Sequence, residues 1–322
     1  MHNAVFILSC IFINFLIVNL YFRIANSYNI IDRPNERSSH SRITIRGAGI
    51  IFPITFILTY LFSNDLIQYL PLLIGTFSIS AISFLDDILT LNNKYRLAIH
   101  FISVALLLYQ VNLFELESLY LIPAFILVVG VINSYNFMDG INGIHALYSL
   151  VALSTLYYIS DNKLVLLPQE VFLSLITSLF VFAFYNLRKK ARCFSGDVGS
   201  VSIAFIVSFL IIQLILKTED FRWILLLSVY GVDSVVTILL RIIRRENIFV
   251  AHRSHFYQYL ANDRKYSHTS ISVIYALTQL VLNMFLLNAN IVFVVLSHLI
   301  IVFIYTILRL SMEGKHRLFK KY

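Results

Sequence analysis

The stretch VSIAFIVSFLIIQLILK, residues 201–217, carries no charge before its last residue. A helix crossing the hydrocarbon core of a bilayer needs about 20 mostly apolar residues, and this run is one of eleven of that kind. The others lie at 4–22, 44–63, 66–84, 98–114, 118–134, 141–159, 171–186, 221–241, 269–288 and 290–310. Composition agrees with them. Of the 322 residues, 59% are hydrophobic and only 13% charged, against about 25% charged in soluble chains, and the mean hydropathy is +0.80. With 27 Phe and 19 Tyr there is more apolar surface than a water-facing exterior could hide, so lipid must act as the solvent. Disordered chains, collagen-like fibres and nucleic-acid modules are excluded. Two cysteines, Cys10 and Cys193, support no disulfide framework. No internal repeat, linker or low-complexity segment divides the chain, which predicts an all-α integral membrane protein: one polytopic domain, 1–322, of about 11 transmembrane helices.

The charges orient this array. No Lys or Arg precedes the first run, which reads as a retained helix with its N-terminus outside. Alternating sides from there puts 23–43, 85–97, 135–140, 187–200, 242–268 and 311–322 on one face. Of 25 cations, only Lys163, Lys217 and Arg222 fall on or next to the other face. Positive residues mark the cytoplasmic side, so the C-terminus and every polar loop of chemical interest are expected there.

Five polar islands occupy that face. IDRPNERSSHSRITIRGAG, residues 31–49, interleaves Arg33, Arg37, Arg42 and Arg46 with Ser38, Ser39 and His40, a pattern open to anion binding or to topological charge alone. FLDDILTLNNKYRL, 84–97, closes an apolar helix with Asp86 and Asp87, followed by Lys94 and Arg96. Adjacent carboxylates at a membrane boundary repel unless a cation or proton intervenes, and such a pair facing phosphates suits a hard divalent ion such as Mg²⁺. NSYNFMDGING, 133–143, sets Asn133, Asn136, Asp139 and Asn142 three apart, roughly one helical stripe, and Asp139 has no local cationic partner. NLRKKARCFSGDVGS, 186–200, runs from a basic loop into Ser195, Gly196, Asp197, Gly199 and Ser200 at a helix start, where free N–H groups could cradle a phosphate or Asp197 could cap. RIIRRENIFVAHRSHFYQYL, 241–260, holds His252 and His255 around Arg253. H-x-x-H can bind zinc, but no third ligand stands at a recognisable spacing, and contact with a diphosphate fits the surrounding arginines better.

The order of these islands resembles the polyprenyl-phosphate N-acetylhexosamine-1-phosphate transferases of glycosyltransferase family 4, the superfamily that also holds the peptidoglycan phospho-N-acetylmuramoyl-pentapeptide transferase. The resemblance runs from about Asp32 to Leu260 and is carried by the Asp-Asp helix end, N-x-x-N-F-M-D-G-I-N-G, G-D-V-G-S, Asp233 and A-H-R-S-H-F-Y-Q. DRPNERSSHS with RGAG looks like the branch that starts bacterial O-antigen and related surface glycans. It implies an enzyme of the bacterial inner membrane with a cytoplasmic active site, which moves sugar 1-phosphate from a UDP-N-acetyl sugar to undecaprenyl phosphate and releases UMP. It further implies Mg²⁺, or Mn²⁺ in its place, on Asp139. Asp86 and Asp87 would serve lipid-phosphate positioning, proton removal or the metal region, and Arg46, Lys94, Asn136, Asp197, His252, Arg253 and His255 would contact substrate. Many relatives carry a second aspartate where this chain has Asn142, which brings an amide carbonyl but no charge. The HRSHFYQ form departs from the His-rich version of the peptidoglycan enzyme and argues against a muramoyl-pentapeptide substrate. A homodimer is left open. The competing expectation is a transporter or flippase of an anionic lipid or solute, which would place its polar groups near the bilayer midplane.

Overall fold

The computed structural model describes residues 2–34, 42–89, 91–248, 250 and 252–319; Arg37, Ser38, Ser39 and His40 of the first island lie outside them. Each of the eleven apolar runs is helical. The long helices are α1 (His2–Ser27), α2 (Ile51–Leu61), α3 (Leu70–Leu89), α4 (Asn93–Gln110), α5 (Leu121–Met138), α6 (Ile144–Asn162), α7 (Gln169–Asn186), α8 (Gly196–Thr218), α9 (Ser228–Ile243), α11 (His268–Asn288) and α12 (Ile291–Glu313). Short helices α10 (Phe256–Asn262) and α13 (Lys315–Phe319) complete the set. Among the described residues, eight helical segments are long and apolar enough to cross a membrane, and Ala48–Leu61 is a shorter apolar one. The chain is thus a multi-pass, all-α membrane protein. The remaining two, α4 with Lys94 and Arg96 in its first turn and α6 with His145 and Asp161, are less apolar than those eight.

α8, the helix of residues 201–217, is buried almost throughout, whereas α12 is exposed along most of its length. A helix apolar on every side belongs in the middle of such a bundle, and α8 packs against α2, α3, α4 and α5. Small polar residues bring the backbones together: Ser80 Oγ on α3 meets Ser202 Oγ on α8 at 2.7 Å, and Ser134 Oγ on α5 meets Ser234 Oγ on α9 at 2.8 Å. α9 is preceded by a 3₁₀ segment, Phe221–Leu227. At that break Gln279 of α11 accepts from Val229 N at 2.9 Å and donates to Leu225 O at 3.1 Å, because backbone groups in lipid need an internal partner.

Two features depart from the all-helical expectation. Strands β1 (Ile31–Asp32) and β2 (Thr44–Ile45) pair antiparallel, and Ile45 also bridges Cys193. The expected run at 44–63 therefore opens as strand and 3₁₀ turn before α2 begins. The run at 98–114 starts earlier as a helix, at Asn93, because Asn92 accepts from Lys94 N and caps it.

Candidate active site

α3 ends in two carboxylates that serve different neighbours. Consecutive helix residues point about 100° apart. Asp87 is buried against the start of α8, where its Oδ1 accepts from Asp197 N at 3.0 Å and its Oδ2 from Val198 N at 3.1 Å. Arg46 Nε lies 2.8 Å from Asp87 Oδ1, and Arg46 Nη2 lies 3.6 Å from Asp197 Oδ1. The first N–H groups of a helix lack intrahelical acceptors and favour an anion. Here that anion is Asp87, which takes two of the N–H groups at the start of α8 that the sequence left open to a phosphate or to a cap. Asp197 is not the cap, since it sits in the first turn of α8. A Cβ on Gly196, at φ +70°, would stand 2.4 Å from Asp87 Oδ2. Asp86 turns the other way, accepting from Leu91 N at 2.8 Å and pairing with Arg96 Nη1 at 2.5 Å. Each carboxylate of the pair thus has its own arginine.

Arg46 reaches this junction through backbone pairing. Phe194 N donates to Ile45 O at 2.8 Å, Ala48 N to Phe194 O at 3.0 Å and Gly49 N to Ser195 O at 3.0 Å, while Tyr21 OH of α1 holds Arg46 O. The RGAG and CFSGDVGS islands thus run side by side, with Gly49 and Gly199 in backbone contact that any Cβ would break. Asn186 ties in the third island, accepting from Gly143 N at 2.7 Å and donating to Cys193 O at 2.9 Å.

Asp139 follows the last residue of α5 and accepts from the Ser195 hydroxyl. Among the described residues it has no ion pair with Lys or Arg. Burial pushes its carboxyl up to about 8; the Ser195 hydroxyl opposes the rise, and Asp197 and Asp87 add to it. A carboxylate held among carboxylates with one hydroxyl donor is an open acceptor for a cation. No three His, Cys, Asp or Glu among the described residues converge as a metal cage. The oxygen donors at Asp139 therefore fit a hard ion that keeps water and substrate phosphate as its remaining ligands, as Mg²⁺ commonly does. The stripe expected over residues 133–142 breaks at Asp139, where the helix ends. Asn133 is exposed, Asn136 Nδ2 donates to Ser200 Oγ at 3.4 Å, and Asn142 Nδ2 is spent on Arg188 O at 2.8 Å.

The histidine loop reaches back into the bundle. Asp233, fully buried on α9, lies 3.0 Å from His255 Nδ1 and accepts from Phe256 N at 3.2 Å and Tyr257 N at 3.4 Å, the first turn of α10. His255 Nε2 is buried without a hydrogen-bond partner. His252 and His255 stack with ring centroids 5.1 Å apart, and both rings lie against Phe137, two residues before Asp139. Burial, with His255, Arg241 and Arg244 nearby, holds His252 down to about 3, so it meets a ligand as a neutral hydrogen-bonding ring. No third zinc ligand joins this pair among the described residues. Lys94 stands apart, exposed on the first turn of α4.

With this geometry in hand, the relatives are informative. Residues 69–215 match the profile of Glycosyl transferase family 4. Over 281 residues the chain is 27% identical to the "Probable undecaprenyl-phosphate N-acetylglucosaminyl 1-phosphate transferase" of Bacillus subtilis (strain 168), covering 81% of this chain and 77% of that protein. It is 28% identical over 143 residues to the phospho-N-acetylmuramoyl-pentapeptide-transferase of Helicobacter pylori (strain J99), 39% of each chain. With the enzyme of that name from Lactococcus lactis subsp. cremoris (strain MG1363) the figure is 32% over 139 residues, 42% of this chain and 39% of the relative. The profile and the relatives together support glycosyl transferase family 4 as the family this chain is similar to.

The family match spans Asp86, Asp87, Asp139 and Asp197. Arg46 and the histidine loop lie outside it, and the structure brings them to the same place through strand pairing and the Phe137 contact. Asn186 belongs to the site without having been singled out, and Ser195, read only as part of a helix start, proves to be the donor to Asp139. Ser195 stood in a motif but had no visible partner, and Asn186 gave no sequence signal at all.

Proposed function

We propose that this protein transfers an N-acetyl-sugar 1-phosphate from a UDP-sugar to undecaprenyl phosphate and releases UMP. We place the reaction on the cytoplasmic face of the bacterial inner membrane, where it would start O-antigen or a related surface polysaccharide. The observation that carries this reading is Asp139, which among the described residues has no ion pair with Lys or Arg, accepts from Ser195, and follows by two residues the Phe137 ring against which both histidines lie. The names of the relatives support the reaction class.

An oxygen of the lipid phosphate attacks the sugar-bearing phosphorus of the UDP-sugar, a P–O bond to it forms, and the bond to the bridging oxygen breaks as UMP departs. A phosphate monoester has a second pKa near ~6 and is mostly dianionic at neutral pH, so the nucleophile needs no obligate general base. Asp87 accordingly holds Arg46 and the start of α8, and Asp86 holds Arg96. Mg²⁺ on Asp139 would supply the charge that lets two anionic reactants approach. His252 and His255 offer neutral hydrogen bonds to the diphosphate, Arg253 a guanidinium fork, Asn136 an amide, and exposed Lys94 a cation for the incoming lipid headgroup.

The test is UMP release by the purified full chain with undecaprenyl phosphate and a panel of UDP-GlcNAc, UDP-N-acetylfucosamine and UDP-N-acetylquinovosamine. One sugar should be turned over in a Mg²⁺-dependent manner. Absence of UMP with every sugar, or full activity in excess chelator, contradicts the proposal in its substrate or its metal respectively. Orientation is checked separately: a single cysteine at position 163 should label from outside intact cells.

A further inference from the structure

Arg309 lies on α12, outside every motif discussed above, in a segment apolar enough to cross a membrane. Its side chain is only 2% exposed. A buried guanidinium in such a segment is costly unless its donors are used, and here one of them reaches the histidine loop while the others meet α9 and α12. Nη2 donates to Ser254 O, between His252 and His255. Nη1 donates to Thr237 Oγ1 at 2.9 Å and to Tyr305 OH at 3.0 Å. Thr237 Oγ1 in turn donates to Asp233 Oδ1 at 3.3 Å, the oxygen that lies 3.0 Å from His255 Nδ1. Charge balance comes from Glu313, whose Oε1 lies 2.6 Å from Arg309 Nε.

Two routes therefore run from Arg309 to His255, one through the Ser254 carbonyl and one through Thr237 and Asp233. We infer that Arg309 is a positioning residue for the transfer reaction: it fixes the backbone and ring of His255 so that the unpartnered Nε2 faces the substrate. A simple staple for α12 would need contacts to α9 or α11, but would have no reason to grip a loop carbonyl beside the two histidines. The inference rests on the reading that this loop contacts substrate.

A double-mutant cycle on the full chain in detergent separates positioning from general support. Arg309→Gln should lower kcat/KM for the UDP-sugar by about 30-fold, the scale of displacing a contact group by a fraction of an ångström to one ångström, with Arg309→Lys intermediate. In a His255→Gln background the same change should cost no more than about twofold, because the group being positioned is already gone. Losses that multiply in the double variant, or an Arg309→Gln enzyme within twofold of native, overturn the inference. Thr237→Val, which keeps the shape and removes one link, carries the same cycle should Arg309→Gln fail to fold. A readout independent of turnover is the ¹⁵N-histidine spectrum, with His255 assigned by its loss in His255→Gln. The native chain should show the Nδ1–H tautomer, and Arg309→Gln should lose or broaden it. An unchanged His255 signal counts against Arg309. If the native enzyme releases UMP from no UDP-sugar, the transferase reading falls while this spectrum still decides the role of Arg309.

Discussion

Asp139 and Asp233 are both aspartates near the same loop, the first half-buried and the second fully buried, and their surroundings are opposite. Asp233 is held by His255, Thr237, Tyr275 and the backbone N–H groups of Phe256 and Tyr257. Asp139 receives one hydroxyl, from Ser195. Carboxylates accepting several hydrogen bonds are satisfied by the protein and hold structure in place, whereas one with few donors is a vacancy for a ligand's charge. Asp139 follows an apolar run and Asp233 lies within one, and the donor count sets their roles apart. The comparison makes opposite demands on mutation.

The largest effect should come from Asp139→Asn, which keeps the shape and removes the charge that would hold a cation. Turnover should fall by at least ~100-fold, the scale of a lost preorganised electrostatic contact, while thermal stability in chelator stays close to native. A UMP-release assay paired with a melting curve reads both, and a variant that is active but unstable would reverse the assignment. Asp233→Asn should do the reverse in kind. It leaves five donors around a neutral amide, so stability should drop by about 3 kcal/mol, visible as a lower melting temperature whether or not metal is present. A melting point equal to native would mean that the donors around Asp233 do not hold α9, α10 and α11 together.

The adjacent pair sharpens the same contrast at smaller scale. Asp87→Asn strips Arg46 of its buried partner and loosens the junction of α3, α8 and the RGAG turn, for an expected loss of about 30-fold in kcat/KM. Asp86→Asn removes only a partly solvated pair with Arg96, worth about 0.5 kcal/mol, and should leave kcat/KM within about threefold. Equal losses at the two positions would indicate that the acids act together after all.

How far the sequence reached follows from these residues. The apolar helices among the described residues were legible, because apolar length in lipid leaves the backbone little choice but helix. The site was legible as a set of islands but not in its pairings. Whether Asp86 or Asp87 faces α8 depends on the rotation of α3, which neighbouring helices set. Arg46 meets Asp87 because Ile45 pairs with Cys193, and a short bridge over that sequence distance leaves no pattern to read. Arg309 reads as one more cation near a helix end until its partners are seen. The helix start at Gly196 was legible as anion-seeking, open to a phosphate or to a cap, and in the fold the protein's own Asp87 lies against it.

The smallest expected effect is a pH dependence that follows from the state of Asp139. Its carboxyl is raised from 3.8 to about 8 in the folded, metal-free chain, so between those values the folded form keeps a proton that the unfolded form has released. Stability falls with rising pH wherever the folded state binds more protons. The contribution of this residue is therefore fully present near pH 4, is lost progressively as pH approaches 8, and changes no further above it. Asp139→Asn has no proton to lose and lacks the slope. In chelator, the native melting temperature should fall relative to the variant by about 3 °C between pH 5 and pH 8.5. Millimolar Mg²⁺ should close that gap at pH 8.5, because a bound cation replaces the proton as the partner of the charge. Parallel curves for the two chains would show that Asp139 is already ionised without metal, and its difference from Asp233 would then lie in geometry alone.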